Sequence, residues 1–336
     1  MKRLSILFFV FISFLAWSAL ASTSVEARFV GKHTVKSKQQ TTSFKNTRIK
    51  HKPLKSKVKA KAVYCVNLTN NQTLLARNPD IKLPIASLSK LVTALVALDN
   101  LPLNKKVKLP SRVPKIPKSV VGLKPGDTLT VKDLLHGLLM ASGNDCAEAL
   151  AYAYPGGRKK FIAKMNQKAR ILGAKKTRFY TPSGLDKKIV RMKEGKKRIH
   201  LISNVSTARE IGRIAQAAFS NDTIQTICLK ERYIMASKKL TSGYHIRSTN
   251  KLLQEDLPLL GGKTGYTSRA GHCLATEFAC GQNPLLIVVL GSPNHFRDTK
   301  LVYKKARAIT RKSKGPMRMR RSASSPTTRY YYRLGG

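Results

Sequence analysis

The chain has 336 residues, which is enough to bury a hydrophobic core without disulfide bonds or metal ions as staples. Its 42% hydrophobic residues are typical of a globular protein and exclude a collagen-like or wholly disordered chain. The 64 Lys and Arg against 16 Asp and Glu give a formal net charge of +48. So large an excess indicates an anionic partner.

The N-terminus has the pattern of an export signal. Lys2 and Arg3 precede an apolar run over residues 4–20, and Ala19 and Ala21 form a small-x-small cleavage signal. We therefore predict a signal peptide over residues 1–21. An uncleaved membrane anchor is the alternative, because about 18 apolar residues can span a bilayer. Either way the rest of the chain is exported from the cytoplasm. Nucleic acid is not an expected partner outside the cytoplasm.

Two further segments are basic and lack apolar periodicity. Residues 22–61 are rich in Lys, Thr, Ser and Gln, and residues 313–336 combine Arg with Ser and Tyr and contain no acid. Such compositions predict disorder, so the folded part is expected over residues 62–312. We expect the two basic segments to bind anionic polymers of the cell envelope.

The five cysteines indicate neither a metal site nor a disulfide framework. Five is an odd number, and no Cys-x-x-Cys pair or closely spaced Cys/His set is present. Buried free thiols are the expectation.

The periodicity of the folded part predicts strands at both ends and helices between them. Residues 62–67 and 72–76 predict a hairpin, and residues 87–99 have apolar side chains at helical spacing. Further helices are predicted over 134–140, 145–154, 158–172, 206–219 and 298–310, strands over 244–249, 259–266, 272–279 and 285–290, and a solvated loop over 187–198. This order predicts an α/β fold in which N- and C-terminal segments form one antiparallel sheet, flanked by helices and interrupted by a helical insertion.

Three short motifs carry residues suited to nucleophilic chemistry. Ser87-Leu88-Ser89-Lys90 places a hydroxyl and an amine three residues apart, on one face of the predicted helix. Ser142-Gly143-Asn144 lies in a turn between two helices, and Lys263-Thr264-Gly265 lies on a late strand. Each motif alone could have a purely structural role, because short motifs recur by chance.

Together, in this order and context, the motifs resemble those of the penicillin-binding proteins and serine β-lactamases. The resemblance covers about residues 62–306 and is closest to the low-molecular-mass D-alanyl-D-alanine endopeptidases. It includes Thr181-Pro182-Ser183-Gly184-Leu185-Asp186, Tyr154-Pro155-Gly156-Gly157 and Asn204-Val205-Ser206-Thr207. A β-lactamase/transpeptidase-like fold and a periplasmic, penicillin-sensitive enzyme that cuts peptidoglycan cross-links are implied.

The resemblance also implies a role for each motif residue. Ser87 is the expected nucleophile and Lys90 its base, with Ser142 and Asn144 assisting proton transfer and orientation. Substrate binding is expected at the late strand, through Lys263, Thr264, Gly265 and Tyr266. The backbone N–H groups of Ser87 and Tyr266 are expected to form the oxyanion hole, and the scheme needs no metal or organic cofactor.

Other functions stay open at this stage. A D-alanyl-D-alanine carboxypeptidase shares the three motifs, although that branch resembles a longer chain with a second β-domain and an amphipathic anchor. A β-lactamase of class A carries a Glu-x-x-x-Asn motif that this sequence lacks. The remaining alternative is a non-catalytic cationic protein that binds the envelope.

Overall fold

A computed structural model describes residues 57–113, 116, 119–193 and 196–312. The predicted signal peptide, residues 22–56 of the predicted linker and the predicted tail over 313–336 lie outside the described residues. The strands are β1 Ala62–Asn67, β2 Gln72–Arg77, β3 Leu83–Pro84, β4 Lys106–Lys108, β5 Thr128–Thr130, β6 Lys187–Lys193, β7 Lys196–Ile202, β8 Val205–Ser206, β9 Arg232–Met235, β10 Tyr244–Arg247, β11 Leu259–Thr267, β12 Gly271–Phe278 and β13 Leu285–Ser292.

The helices lie between groups of these strands along the chain. They are α1 Ser89–Asn100, α2 Val131–Leu139, α3 Asn144–Ala153, α4 Gly157–Ile171, α5 Ala208–Phe219, α6 Asp222–Cys228 and α7 His295–Lys312, with 3-10 helices at Ala86–Leu88 and Lys251–Gln254. None of the helices that the structure describes has both the length and the apolar character needed to cross a bilayer.

The central sheet joins the two ends of the folded part, as predicted. Its strands lie in the order β11-β12-β13-β1-β2, and all neighbours are antiparallel. Tyr64 pairs with Val288 in the register of β1 and β13, which lie at the middle of the sheet. Strand β11, which carries the Lys263-Thr264-Gly265 motif, is left at one edge.

Helices cover both faces of this sheet. Every residue of β13 is buried, and successive side chains alternate between two cores because they point to opposite faces of a strand. Leu286 and Val288 join the core formed with α1, α2, α3 and α5, whereas Ile287 and Val289 join the core beneath α7. The first core contains Ala86 and Leu88, so the Ser87 motif lies on the face opposite α7.

Local sequence explains where the helices begin. In α2, the Thr130 hydroxyl accepts the backbone N–H of Asp133 at 3.0 Å, and the Asp133 carboxylate accepts the Thr130 N–H in return. In α5, the Thr207 hydroxyl accepts the Glu210 N–H at 3.1 Å. Both caps satisfy N–H groups that have no partner inside a helix.

Three expectations about the elements need correction. Residues 187–193 and 196–198 do not form a loop, because β6 and β7 pair over their full length as an antiparallel hairpin. The predicted strand over residues 244–249 does not join the central sheet, since β10 pairs with β9 instead. The folded part begins before Ala62, because Val58 and Ala60 are buried in the core beneath α7.

The prediction that the thiols are buried is confirmed for four of the five cysteines. None of the five cysteines, all of them among the described residues, forms a disulfide. Four are buried, whereas Cys280 is partly exposed just after β12. Burial raises the pKa of the Cys228 and Cys273 thiols to about 11, which keeps both protonated and unreactive at neutral pH.

Candidate active site

The predicted nucleophile lies in a strained turn at the start of α1. Ser87 is in the 3-10 helix Ala86–Leu88 that precedes α1, so it does not belong to the first turn of the α-helix itself. Ala86 has a φ of +47°, which is unfavourable for a residue with a β-carbon. Such strain is found where a fold holds a functional group in a fixed direction.

Lys90 lies where the motif spacing places it. Residues three apart along a helix are neighbours on its surface, and Lys90 Nζ is 2.8 Å from Ser87 Oγ. The amine also donates to Asn144 Oδ1 at 2.8 Å and to the Ser183 carbonyl oxygen at 2.7 Å. Lys90 is fully buried, so these three groups take the place of water around its amine.

This environment favours a neutral lysine. Burial is the largest cause that lowers the pKa of Lys90 well below its ordinary value, and the charge of Lys263 lowers it further. A neutral amine has two N–H groups and one lone pair. The two carbonyl-type oxygens of Asn144 and Ser183 can accept the two N–H groups, which leaves the lone pair for the Ser87 hydroxyl.

The second motif meets the third across the site. Lys263 Nζ donates to Ser142 Oγ at 3.0 Å, and burial lowers the pKa of Lys263 to about 8. Ser142 is itself in a left-handed conformation, with a φ of +58°, in the turn before α3. The turn thus directs the Ser142 hydroxyl to the lysine of β11, while Asn144 reaches Lys90.

Strand β11 approaches the Ser87 backbone closely. A β-carbon on Gly265 would lie 3.0 Å from the backbone nitrogen of Ser87 and 3.2 Å from that of Leu88, so glycine permits this contact. Thr264 is buried next to it, and Tyr266, the following residue, is 61% exposed. The structure therefore brings all eight predicted site residues to one cleft between β11, the start of α1 and the turn before α3.

Sequence reasoning did not identify several residues that support this cleft. The Asn204 side chain accepts the N–H groups of Tyr180 and Thr181 and donates to Thr181 O and to Ser89 Oγ. These bonds fix the loop that presents the Ser183 carbonyl oxygen to Lys90. Ser89 is consequently a buried structural residue, whose hydroxyl also donates to Ala86 O at 2.8 Å.

Thr249 is a second residue without a local sequence signal. Its hydroxyl lies 2.6 Å from that of Thr264, and it also donates to the Met140 carbonyl oxygen at 3.2 Å. Thr249 thereby joins β11 to the end of α2, just before the Ser142 turn. Only the folded chain places residues 140, 249 and 264 together.

At the start of a buried helix, a serine contacts a buried lysine whose pKa is lowered, and a second lysine, on the edge strand of an antiparallel sheet, contacts a second serine in the turn before α3. This arrangement is that of an acyl-transfer enzyme of the penicillin-binding type. The model of the D-alanyl-D-alanine carboxypeptidase family matches residues 46–294. The chain belongs to that family of serine-type D-Ala-D-Ala peptidases.

Individual relatives carry two activities in their names. A D-alanyl-D-alanine endopeptidase of Escherichia coli is 35% identical over 239 residues, which are 69% of this chain and 72% of the relative. A D-alanyl-D-alanine carboxypeptidase of Mycobacterium tuberculosis is 36% identical over 224 residues, which are 67% of this chain and 72% of the relative.

Solved structures agree with the fold. A D-alanyl-D-alanine carboxypeptidase from Mycobacterium tuberculosis superposes with a TM-score of 0.68 at 31% identity, covering 80% of this chain and 96% of that one. A mutant of a Streptomyces DD-transpeptidase superposes with a TM-score of 0.67 at 29% identity, covering 76% of this chain and 100% of that one. The predicted fold class is confirmed.

Proposed function

We propose that Ser87 is the nucleophile of a peptidoglycan endopeptidase, which cuts the D-alanyl bond that cross-links two stem peptides. The observation that carries the assignment of Ser87 is the set of contacts around Lys90 Nζ. Two carbonyl-type oxygens and one hydroxyl surround a buried amine whose pKa is lowered, which suits a base that removes the Ser87 proton.

The first half-reaction forms an acyl-enzyme. Lys90 takes the Ser87 proton while Ser87 Oγ bonds to the carbonyl carbon of D-alanine, and the C–N bond then breaks. The proton that Lys90 has taken passes through the Ser142 hydroxyl, which Lys263 holds, to the departing nitrogen, so Lys90 is neutral again. In the second half-reaction a water molecule, deprotonated by Lys90, releases the acyl group and restores Ser87.

Backbone and strand groups hold the substrate in this scheme. The N–H groups of Ser87 and Tyr266 form the oxyanion hole, which the close approach of Gly265 to Ser87 supports. Loss of one such donor typically raises the barrier by about 3 kcal/mol. Lys263 and Thr264 take the carboxylate on the leaving side of the substrate. Asn144 orients Lys90. β-Lactams acylate Ser87, as the substrate does.

The preference for cross-links over terminal D-alanine rests on similarity. The relatives that are named endopeptidases support it, together with the sequences 154–157 and 204–207, whereas the carboxypeptidase relatives support the alternative. The test supplies purified cross-linked dimers and monomeric pentapeptides at equal concentration and resolves the products by mass. Loss of terminal D-alanine with the dimers intact would establish the carboxypeptidase.

Export to the periplasm and a role for the basic segments complete the proposal. Residues 22–56 and 313–336 adsorb the enzyme to anionic envelope polymers through their many positive charges, so adsorption weakens with salt. The comparison is the chain from residue 22 to 336 against residues 57–312, which retain the buried Val58 and Ala60. Equal binding of both to purified sacculi across a salt series would rule this role out.

A further inference from the structure

The β6–β7 hairpin is an exposed cationic element that the catalytic scheme does not use. Val190 and Ile199 face each other across its strands, yet they are 62% and 69% exposed. No other described strand pairs with β6 or β7. Two-stranded hairpins are at best marginally stable alone in water, so this surface is suited to contact with a partner.

The hairpin is fixed beside the catalytic cleft. It follows directly on the loop in which the Ser183 carbonyl oxygen accepts Lys90. At its base, Ser203 Oγ donates to Asp186 at 2.6 Å, and the Arg269 guanidinium donates to the Leu201 carbonyl oxygen. Arg269 lies in the turn that follows β11, so the hairpin is tied to both walls of the site.

Charge on the hairpin is almost entirely of one sign. Residues 187–202 contain one acid, Glu194, and seven lysines and arginines, namely Lys187, Lys188, Arg191, Lys193, Lys196, Lys197 and Arg198. Opposite residues share a face of a hairpin. Lys188 therefore shares a face with Leu201, whereas Arg198 points to the other side.

This distribution favours an acidic peptide over a bilayer as the partner. An element that lies in a membrane interface has one apolar face and one charged face. Here one face carries the exposed Val190, Ile199 and Leu201, but Lys188 and Lys197 interrupt it, and the other face carries Lys187 and Arg198, so neither face is apolar throughout. A peptide that carries carboxylates can pair with cations from either side.

The direction of β11 shows which part of the substrate would reach the hairpin. The strand runs from Thr264 past Gly265, which touches the Ser87 backbone, to Thr267 and the turn that contains Arg269. At about 3.3 Å per residue, Thr264 and Thr267 are roughly 10 Å apart. In the proposed scheme the part of the substrate that leaves binds at Thr264. The hairpin lies beyond Ser87 in the other direction, next to the part of the substrate that forms the acyl-enzyme.

We propose that the β6–β7 hairpin is a secondary binding site for the carboxylate-bearing stem peptide that precedes the cleaved D-alanine. This inference rests on the proposed function. It applies to the endopeptidase and the carboxypeptidase reaction alike, because the part of the substrate that acylates the enzyme is the same in both. The hairpin raises the local concentration of an acidic substrate at Ser87 and does not take part in the chemistry.

The test removes three cations from the mature full-length enzyme by Lys188→Gln, Lys197→Gln and Arg198→Gln together. A matched control removes the same charge from α7, on the opposite side of the sheet, by Lys304→Gln, Arg307→Gln and Arg311→Gln. All six side chains are exposed. The substrates are cross-linked muropeptides with free carboxylates and a short N-acyl-D-Ala-D-Ala peptide without them, each measured across a salt series.

The hairpin variant should lose about tenfold in kcat/KM on muropeptides, since several exposed ion pairs each contribute modestly. The rate at which penicillin acylates the hairpin variant, and its kcat/KM on the short peptide, should equal those of the wild type. The control variant should match the wild type on both substrates. An equal loss in both variants would overturn the inference, as would unchanged muropeptide kinetics. Hairpin-dependent binding to phosphatidylglycerol vesicles with normal muropeptide kinetics would assign the surface to a bilayer instead. Failure of the wild type to react with penicillin would refute the proposed function itself.

Discussion

Gly184 lies directly against the carbonyl group of Ala86, the residue that precedes the proposed nucleophile. A β-carbon on Gly184 would come within 2.0 Å of Ala86 O and 2.5 Å of its carbonyl carbon. Both are backbone atoms, which cannot swing away as a side chain would. The loop that supplies the Ser183 oxygen to Lys90 thus also supports the strained turn at Ser87.

Gly184→Ala should therefore displace Ser87 and slow penicillin acylation by about a hundredfold or more, because a shift of roughly 1 Å in a reacting group can cost that much. Gly122→Ala is the matched control. Both glycines have a φ of +88°, but a β-carbon on Gly122 meets nothing within 4 Å. If the two variants acylate equally fast, the contact with Ala86 does not support the site.

Lys263 should control the pH dependence of acylation through its charge. Its pKa is about 8, so below that pH it is cationic and holds the pKa of Lys90 down. Lys263→Met removes this repulsion and raises the pKa of Lys90. The acid limb of the pH–rate profile, where activity rises as Lys90 loses its proton, should then move to higher pH.

Lys263→Arg retains a cation and should leave the acid limb nearer its original position, even if the rate falls. The measurement is the penicillin acylation rate between about pH 5 and 10. A limb that moves to lower pH in Lys263→Met would contradict the assignment of Lys90 as the base.

Asn204→Ala should destabilise the fold and the site together. The substitution leaves the part-buried N–H group of Tyr180 and the buried N–H group of Thr181 without their acceptor, and a lost partner of a buried group costs about 1–3 kcal/mol. A fall of about 3 kcal/mol in the free energy of unfolding is expected, with slower acylation at saturating penicillin, because the Ser183 oxygen is no longer held against Lys90.

The control is Asn70→Ala, in the exposed β1–β2 turn, where Asn70 Oδ1 accepts the Gln72 N–H in contact with water. This variant should change the free energy of unfolding by less than about 1 kcal/mol and leave acylation unaffected. A normal acylation rate in folded Asn204→Ala would show that the loop needs no such support.

The sequence predicts the central sheet and the three motifs because both depend on local patterns. The continuous apolar run of β13 and the helical spacing in α1 are visible within ten residues, as is the Ser87–Lys90 pair. The Ser183 oxygen is 93 residues from Lys90 and acts through its backbone, so residue type gives no signal for it. Contacts of this kind arise only when the chain folds.

The hairpin was missed for a different reason. A strand is recognised by alternation between a buried and an exposed face, but β6 and β7 bury neither face fully, and their charges fall on both. Strand β10 was assigned to the wrong sheet because its alternation is the same whichever partner it pairs with. Pairing partners are decided by the three-dimensional arrangement.

The most direct test of the account is to locate the penicillin adduct by mass spectrometry of the digested, labelled enzyme. A covalent adduct is expected on Ser87 in the wild type, and no adduct is expected in Ser87→Ala when thermal unfolding shows that the variant is folded. Peptide hydrolysis should disappear with it. An adduct that persists in Ser87→Ala, or that maps to Ser142 or Ser248 in the wild type, would contradict the assignment of the nucleophile.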